Sequence, residues 1–485
     1  ALAQWVRLRS VSGVAELQPE CRRAARFLRD LAQRLGASDA RLISSTPGNN
    51  PLVYARFDAS QQNSQKSSEE GGPPFTSQQP TVFVYGHYDV MPAGDAARWA
   101  SPPFTMTGRD GHVYGRGVSD DKGPVLAMLF AVAELHAARQ LPLAVVFCIE
   151  GEEENGSRGL RTTIAAHRAL FGVPRLVLLS SSYWLGDATP CLTYGMRGSI
   201  RATVRVEASR RADVHSGVWG GAVNEPLTCL AHVLSSLVAP SGRVLVPGFH
   251  DAVRAVDGAE RLAMRGLAER ATTATSTDED KKDAEEADVL AAQLLQRWRQ
   301  PALTVHHVDV STVAAPSNAT LVPAAAQAAV SVRVVPDQAL DDIAAKLRAH
   351  IEAAFNAFVA ARSSEMGEGP PMLLDELALV LDVAPVANWW LADPSAPVYQ
   401  AASRAIRDVW GMDDDPMLIR EGGSIPAVPW LESYFAPHAV VVNLPMGQSS
   451  DNAHLDNERI SIENLVRGRQ VVCQLLKDID QVISI

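Results

Sequence analysis

Thr81-Val82-Phe83-Val84-Tyr85-Gly86-His87-Tyr88-Asp89 is the stretch whose reading decides the fold. An apolar, β-branched and aromatic run broken by a glycine and ending in polar groups predicts a buried strand that delivers side chains to a sheet edge. Side chains alternate along a strand, so His87 and Asp89 at i and i+2 point to one side. A histidine and a carboxylate there suit a metal ligand and the partner that orients it. Further on, Gly115-Arg116-Gly117-Val118-Ser119-Asp120-Asp121-Lys122-Gly123 precedes an apolar helical pattern over Gly123–Ala138. Leu143–Ile149 is a second fully apolar strand, and it ends in Glu150-Gly151-Glu152-Glu153-Glu154. With strand Arg175–Leu179 these make an alternating β-α-β-α series, which predicts a mostly parallel sheet flanked by helices. Ligands of such sheets gather beyond the carboxyl ends of the strands, where His87, Asp120 and the glutamate run all fall.

Working outward, residues 1–36 read as helical and Asn50–Phe57 as a strand. Ala59–Pro80, rich in Ser, Gln, Gly and Pro, reads as a mobile insertion. After Gly198 the pattern changes to alternating strands (Ile200–Glu207, Ala328–Val335), helices (Pro226–Leu237, Asp341–Ala360) and an extended run over Leu373–Val383. This predicts an inserted α+β, ferredoxin-like unit with an antiparallel sheet. Thr272–Asp288 reads as a charged excursion within it. The α/β pattern resumes with helix 397–410, a strand before Arg420, strand Ala439–Asn443 and helix 461–480. The expected division is residues 1–198 and 385–485 for a catalytic domain and 199–384 for an inserted lid or dimerisation domain.

The chain of 485 residues is too long for one core, and no apolar run reaches the roughly 18 residues that a membrane span needs. A net charge of −11 without a basic stripe argues against nucleic acid as a partner. The five cysteines are scattered without close pairs, as expected for buried thiols in the cytoplasm. The chain opens at Ala1, already helical and with no signal-peptide signature, as an excerpt of a longer protein would.

Four separated segments offer metal-ligand chemistry: His87, Asp120, the Glu153-Glu154 pair, and His454 in Met446-Gly447-Gln448-Ser449-Ser450-Asp451-Asn452-Ala453-His454. Two imidazoles with two or three carboxylates suit a pair of ions, each with room for water.

Gly86-His87-Tyr88-Asp89-Val90, Gly115-Arg116-Gly117 with Asp120-Asp121-Lys122-Gly123, and Glu150-Gly151 with Glu153-Glu154 resemble the signatures of the co-catalytic zinc peptidases. That family includes carnosinase, cytosolic non-specific dipeptidase, aminoacylase and carboxypeptidase G. Tyr183-Trp184-Leu185-Gly186, Tyr194-Gly195-Met196-Arg197-Gly198, Asp213-Val214-His215-Ser216-Gly217 and Arg420-Glu421-Gly422-Gly423-Ser424-Ile425-Pro426 are similar to its carnosinase and cytosolic dipeptidase branch. The resemblance implies a homodimeric, metal-dependent hydrolase of the amide bond in dipeptides or related small peptides with a free carboxylate. By the same resemblance Asp120 bridges two zinc or manganese ions and is joined to Asp121 by a cis peptide. His87 binds one metal and is oriented by Asp89, while Glu154 and His454 bind the other. Glu153 is the implied general base. His215 reaches the partner's active site to steady the oxyanion, and Arg333, Gly423 and Ser424 meet the substrate carboxylate.

One position departs from the family pattern. Where an aspartate ligand beside His87 is expected, the chain reads Ser180-Ser181-Ser182, with Ser181 at the ligand's place. A neutral hydroxyl is a poor zinc ligand, so one ion site is expected to be weakened. The serine-rich segment and the opening without Met resemble a peptidase-like subunit of the fungal glutathione-degrading complex. Such a subunit is weakly catalytic and works beside a glutamine amidotransferase-like partner.

Overall fold

A computed structural model describes residues 1–44, 46–60, 79–209, 211–273, 280–310, 320–365 and 376–483. Among these residues the larger sheet has nine strands. Its order is Asp39–Ile43, Leu52–Phe57, Ala144–Glu150, Pro80–His87, Val173–Leu179, Val440–Asn443, Cys191–Met196 and Trp390–Leu391, with Met417–Glu421 also paired to Cys191–Met196. The four central strands run parallel, as the alternating pattern predicts. The sheet as a whole is mixed, because Leu52–Phe57 joins Ala144–Glu150 antiparallel and Cys191–Met196 meets both Val440–Asn443 and Trp390–Leu391 antiparallel. Strands covered on both faces read as continuous apolar runs, and every residue of Leu52–Phe57 and Ala144–Glu150 is buried.

Register brings the chemistry to one edge. Parallel pairing sets His87 opposite Glu150, so two adjacent strands end at the same level. The helix Lys122–Ala137 begins there and is buried on nearly all sides, packed between the sheet and the helix Ile462–Lys477. Gly86 permits the close approach: a Cβ on it would stand 2.7 Å from an Asp121 carboxylate oxygen and 2.6 Å from Val125. The Asp120–Asp121 peptide is cis, as the resemblance implies.

A second core lies around a four-stranded antiparallel sheet ordered Ala302–Val310, Ala325–Val334, Gly198–Ala208, Leu377–Ala387. The helices Pro226–Ser235 and Leu340–Glu365 pack on it. The chain order β-α-β-β-α-β with that strand order is the ferredoxin-like arrangement. One expectation is corrected. The charged run Thr272–Asp288 is not an irregular excursion in its described part, since Gly258–Thr273 and Asp280–Arg299 are paired helices. Their apolar side, with Met264, Leu267, Leu294 and Trp298, packs on Trp184 and on Cys191, Met417 and Ile419 of the larger sheet. Residues 61–78 of the Ser/Gln/Gly/Pro-rich stretch lie outside the described residues.

All five cysteines are buried free thiols. Among the described residues no helix is long and apolar enough to cross a membrane.

Candidate active site

His87, at the end of the buried strand, is 1% exposed. Its Nε2 lies 3.0 Å from Asp120 Oδ1. From the other end of the chain, His454 Nε2 lies 2.9 Å from Asp120 Oδ2 and 3.2 Å from Glu154 Oε2. Two imidazoles thus converge on the two oxygens of one carboxylate. His454 sits at φ +65°, in a loop that also holds Asn452 at φ +55° and Asn457 at φ +60°. A non-glycine residue in that region is uncommon and marks a position held for geometry.

Ligand atoms of His87, Asp120 and Glu154 all lie within 4.8 Å of one another. Among the described residues Glu154 Oε1 is buried with no hydrogen-bond partner, which is costly unless a ligand completes it. Imidazole nitrogens facing carboxylate oxygens around such an orphan form a donor set that suits zinc or a similar divalent ion. The residues present therefore fit a metal.

The protonation of the cluster follows from its crowding. Burial opposes ionisation of Asp120, but hydrogen bonds from His454 and His87 hold its carboxyl far below the usual range. Hydrogen bonds to Asp120 and then to Glu154 push His454 up to about 10. Burial raises Glu153 well above an ordinary glutamate; the His87 charge eases this, while Glu154 and Asp120 add to it. A carboxyl raised by burial suits a group that must accept and return a proton.

Asp89 has a wider task than orienting His87. The His87 Nδ1 lies 3.1 Å from the Asp89 backbone carbonyl and 3.5 Å from its Oδ1. The Asp89 carboxylate accepts from the backbone N–H groups of Glu153 (3.2 Å) and Glu154 (3.1 Å). It therefore ties the glutamate turn to the strand that carries His87.

Several supports were not legible from the motifs. Glu458, fully buried, accepts from Arg116 Nη1 at 2.8 Å and from the backbone N–H of Gly117, Ser119 and Asp120 at 2.9, 3.0 and 3.1 Å. Ser119 Oγ donates to it as well, at 3.2 Å. This one side chain fixes the loop that presents Asp120. On the other side Glu152 accepts from Asn50, Asn155 and Arg158 and anchors the glutamate turn from below. Chain distance hides Glu458 and Asn50; a buried acid is visible only once its partners are placed.

The residues expected at the substrate carboxylate fall into two groups. Arg333 Nη1 donates to Ser424 Oγ at 2.9 Å, and the Gly423 N–H donates to Glu421 Oε1 at 3.2 Å. Arg197 joins them, with Nε on the Gly422 carbonyl at 3.0 Å. His215 is exposed, and its Nδ1 accepts from the Gly217 N–H of its own turn at 3.0 Å. It is not hydrogen-bonded to the Asp120 cluster among the described residues. Ser181 offers its backbone N–H to Asn443 Oδ1 at 3.3 Å. Asp187 is exposed, and its Oδ1 accepts from Ser449 Oγ and the Ser450 N–H, each at 3.2 Å.

An α/β sheet with a His/Asp/Glu cluster beyond its strand ends, beside a ferredoxin-like unit whose Arg333 is hydrogen-bonded to Ser424, is an arrangement suited to metal-dependent hydrolysis. The model of Peptidase family M20/M25/M40 matches residues 83–478, and the chain belongs to that family. It is 33% identical over 444 residues to "Probable di- and tripeptidase DUG2" of Saccharomyces cerevisiae, covering 91% of this chain but 46% of that protein, so the chain spans about half its length. It is also 33% identical over 492 residues to "Cys-Gly metallodipeptidase DUG1" of Candida albicans, covering 96% of this chain and 91% of that one. The crystal structure of human carnosine dipeptidase 1 superposes with a TM-score of 0.76 at 29% identity, over 99% of this chain and 95% of that one.

Proposed function

We propose that the chain hydrolyses the amide bond of dipeptides or closely related small peptides that carry a free C-terminal carboxylate. The observation that carries this reading is the convergence of His87 and His454 on Asp120 beside Glu154. Cys-Gly and β-Ala-His, the substrates named for relatives, are the first dipeptides to test.

Asp120, Glu154 and His454 would hold one well-formed ion, and His87 with Asp120 a second, weaker one that lacks a carboxylate at Ser181. Zinc is the favoured ion from the imidazole nitrogens in the donor set, with manganese as the alternative. A metal bound there polarises the peptide carbonyl and acidifies water. Glu153 takes a proton from the water whose oxygen bonds to the carbonyl carbon. It then returns that proton to the amine nitrogen as the C–N bond breaks. Arg333 and Ser424, already paired, and the Gly423 turn hold the terminal carboxylate.

The division into a catalytic domain (1–198, 385–485) and an inserted lid (199–384) belongs to this proposal, as does a homodimer through the lid. The edge strand Ala302–Val310 supports the dimer, since its Val305, Val308 and Val310 are exposed. So do Val218 and Trp219, exposed beside His215, which would serve the site of the partner subunit. A cytoplasmic location is supported by the five free thiols. The second reading is a weakly catalytic subunit beside an amidotransferase-like protein. It draws on Ser181 and on the likeness to DUG2, but it is less favoured, because the Asp120 cluster and Glu153 are intact. Metal analysis with dipeptide turnover separates the two. Bound zinc and turnover abolished by Glu153→Ala support the hydrolase. No metal, and no turnover of any dipeptide or of glutathione by the isolated chain, would support the subunit.

A further inference from the structure

Three neighbouring strands bring His87, Ser181 and Asn443 to one place at the sheet edge. Pro80–His87 and Val173–Leu179 run parallel with Val84 opposite Leu178, and that register continued by three residues sets Ser181 opposite His87. On the other side of Val173–Leu179, Asn443 pairs with Leu179. Paired residues share a face, as do residues two apart, so His87, Ser181 and Asn443 lie on the same side. The Asn443 amide leans over the middle strand, where its Oδ1 accepts from the Ser181 N–H at 3.3 Å. It therefore stands one strand spacing, about 4.8 Å, from the strand that ends in His87. Asp121 is turned to the other face, since a Cβ on Gly86 would meet its Oδ2 at 2.7 Å.

Asn443 is fully buried, yet among the described residues its Nδ2 has no hydrogen-bond partner. A buried amide donor left unpaired is costly. With Oδ1 fixed on a backbone N–H, the orientation of the amide is set and the donor needs an acceptor from outside the chain. Ser181, half-buried beside it, is neutral. A serine in place of an aspartate removes one negative charge from the ligand set, so divalent ions held there attract an anion more strongly.

We propose that Ser181 and Asn443 form a niche for a small carboxylate-type anion, such as formate, acetate or bicarbonate, which takes the place of the absent aspartate. One oxygen of the anion accepts from Asn443 Nδ2, and the other is left for the ion that His87 would hold. The proposal rests on the metal site of the hydrolase reading above.

The test reads metal and anion binding rather than turnover. Metal-stripped chain is dialysed against excess zinc with sodium formate or with sodium chloride at equal ionic strength, and bound zinc is measured by atomic absorption. Formate is also titrated calorimetrically into the stripped and the zinc-loaded chain. About one zinc per chain is expected in chloride and about two in formate, with formate binding only to the zinc-loaded chain. Asn443→Leu should weaken formate binding at least about tenfold. Ser181→Asp should hold about two zinc ions without formate and bind none of it. Acetate and bicarbonate titrated in the same way show which source of the anion binds tighter. A zinc count that formate leaves unchanged, or raises equally in Asn443→Leu and Ser181→Asp, overturns the proposal. One bound zinc with dipeptide turnover and no response to formate overturns it alone and leaves the hydrolase reading intact. No bound zinc in either salt overturns the reading of the metal site and the proposal with it.

Discussion

Removing the Glu458 carboxylate isolates the support of the loop that presents Asp120 from the clustered side chains themselves. Glu458→Ala leaves the Arg116 guanidinium, 2% exposed, without its counter-ion. It also strips the acceptor from the N–H groups of Gly117, Ser119 and Asp120. Breaking a buried ion pair by deleting one partner costs about 3–5 kcal/mol. Each orphaned N–H would add about 1–3 kcal/mol if it stayed dry. Water can enter a glutamate-sized void and satisfy some of them, so the expected loss is about 3–5 kcal/mol rather than the full sum. Glu458→Gln keeps the shape and one acceptor, and should cost about 1–3 kcal/mol. Urea unfolding reads both as a lower midpoint at unchanged slope. Dipeptide turnover should fall with them, because the same loop sets Asp120. A loss under about 1 kcal/mol for Glu458→Ala, with normal turnover, would refute the claim that this side chain holds the loop.

Other outcomes follow from the same geometry. Glu153→Ala should lower kcat by about 10²–10⁴-fold while bound metal, measured by atomic absorption, stays unchanged. Ser181→Asp should raise the bound metal by about one equivalent per chain, because it restores a carboxylate at the weakened site; an unchanged count would show that Ser181 does not limit occupancy. Two buried carboxyls that are not among the converging His87, Asp120, Glu154 and His454 side chains, Glu150 and Asp451, are each pushed up to about 7 by burial. Their folded values lie above the unfolded ones, so the stability they confer is full below about pH 4 and is lost as pH rises through about 7. Glu150→Gln with Asp451→Asn should flatten that slope and gain at least about 1 kcal/mol at pH 8; a slope as steep as in the unaltered chain would contradict the assignment.

The sequence is most informative where one physical constraint dominates. The runs Thr81–Tyr85 and Leu143–Ile149 are strands covered on both faces, and continuous apolarity leaves little choice. The motifs around His87, Asp120, Glu154 and His454 are legible because metal chemistry restricts residue type, and the fold brings these four together. Less was legible where pairing or packing is non-local. Cys191–Met196 links the central strands to the far edge through one parallel and two antiparallel partners, and no local pattern specifies that. The run Thr272–Asp288, which holds the facing ends of the helices Gly258–Thr273 and Asp280–Arg299, reads as a charged excursion because it is rich in Thr, Asp, Glu and Lys. What makes them helices is a narrow apolar side with Met264, Leu294 and Trp298. Glu458 and Asn50 carry no motif at all, and their importance comes from partners far along the chain.

The most direct measurement is a zinc titration of the metal-stripped chain, with Cys-Gly hydrolysis followed at each addition. The account predicts that activity rises in step with the first bound equivalent, and that His454→Ala and His87→Ala each weaken zinc binding and turnover together. Hydrolysis that proceeds without zinc, or zinc binding left untouched by both substitutions, would contradict it.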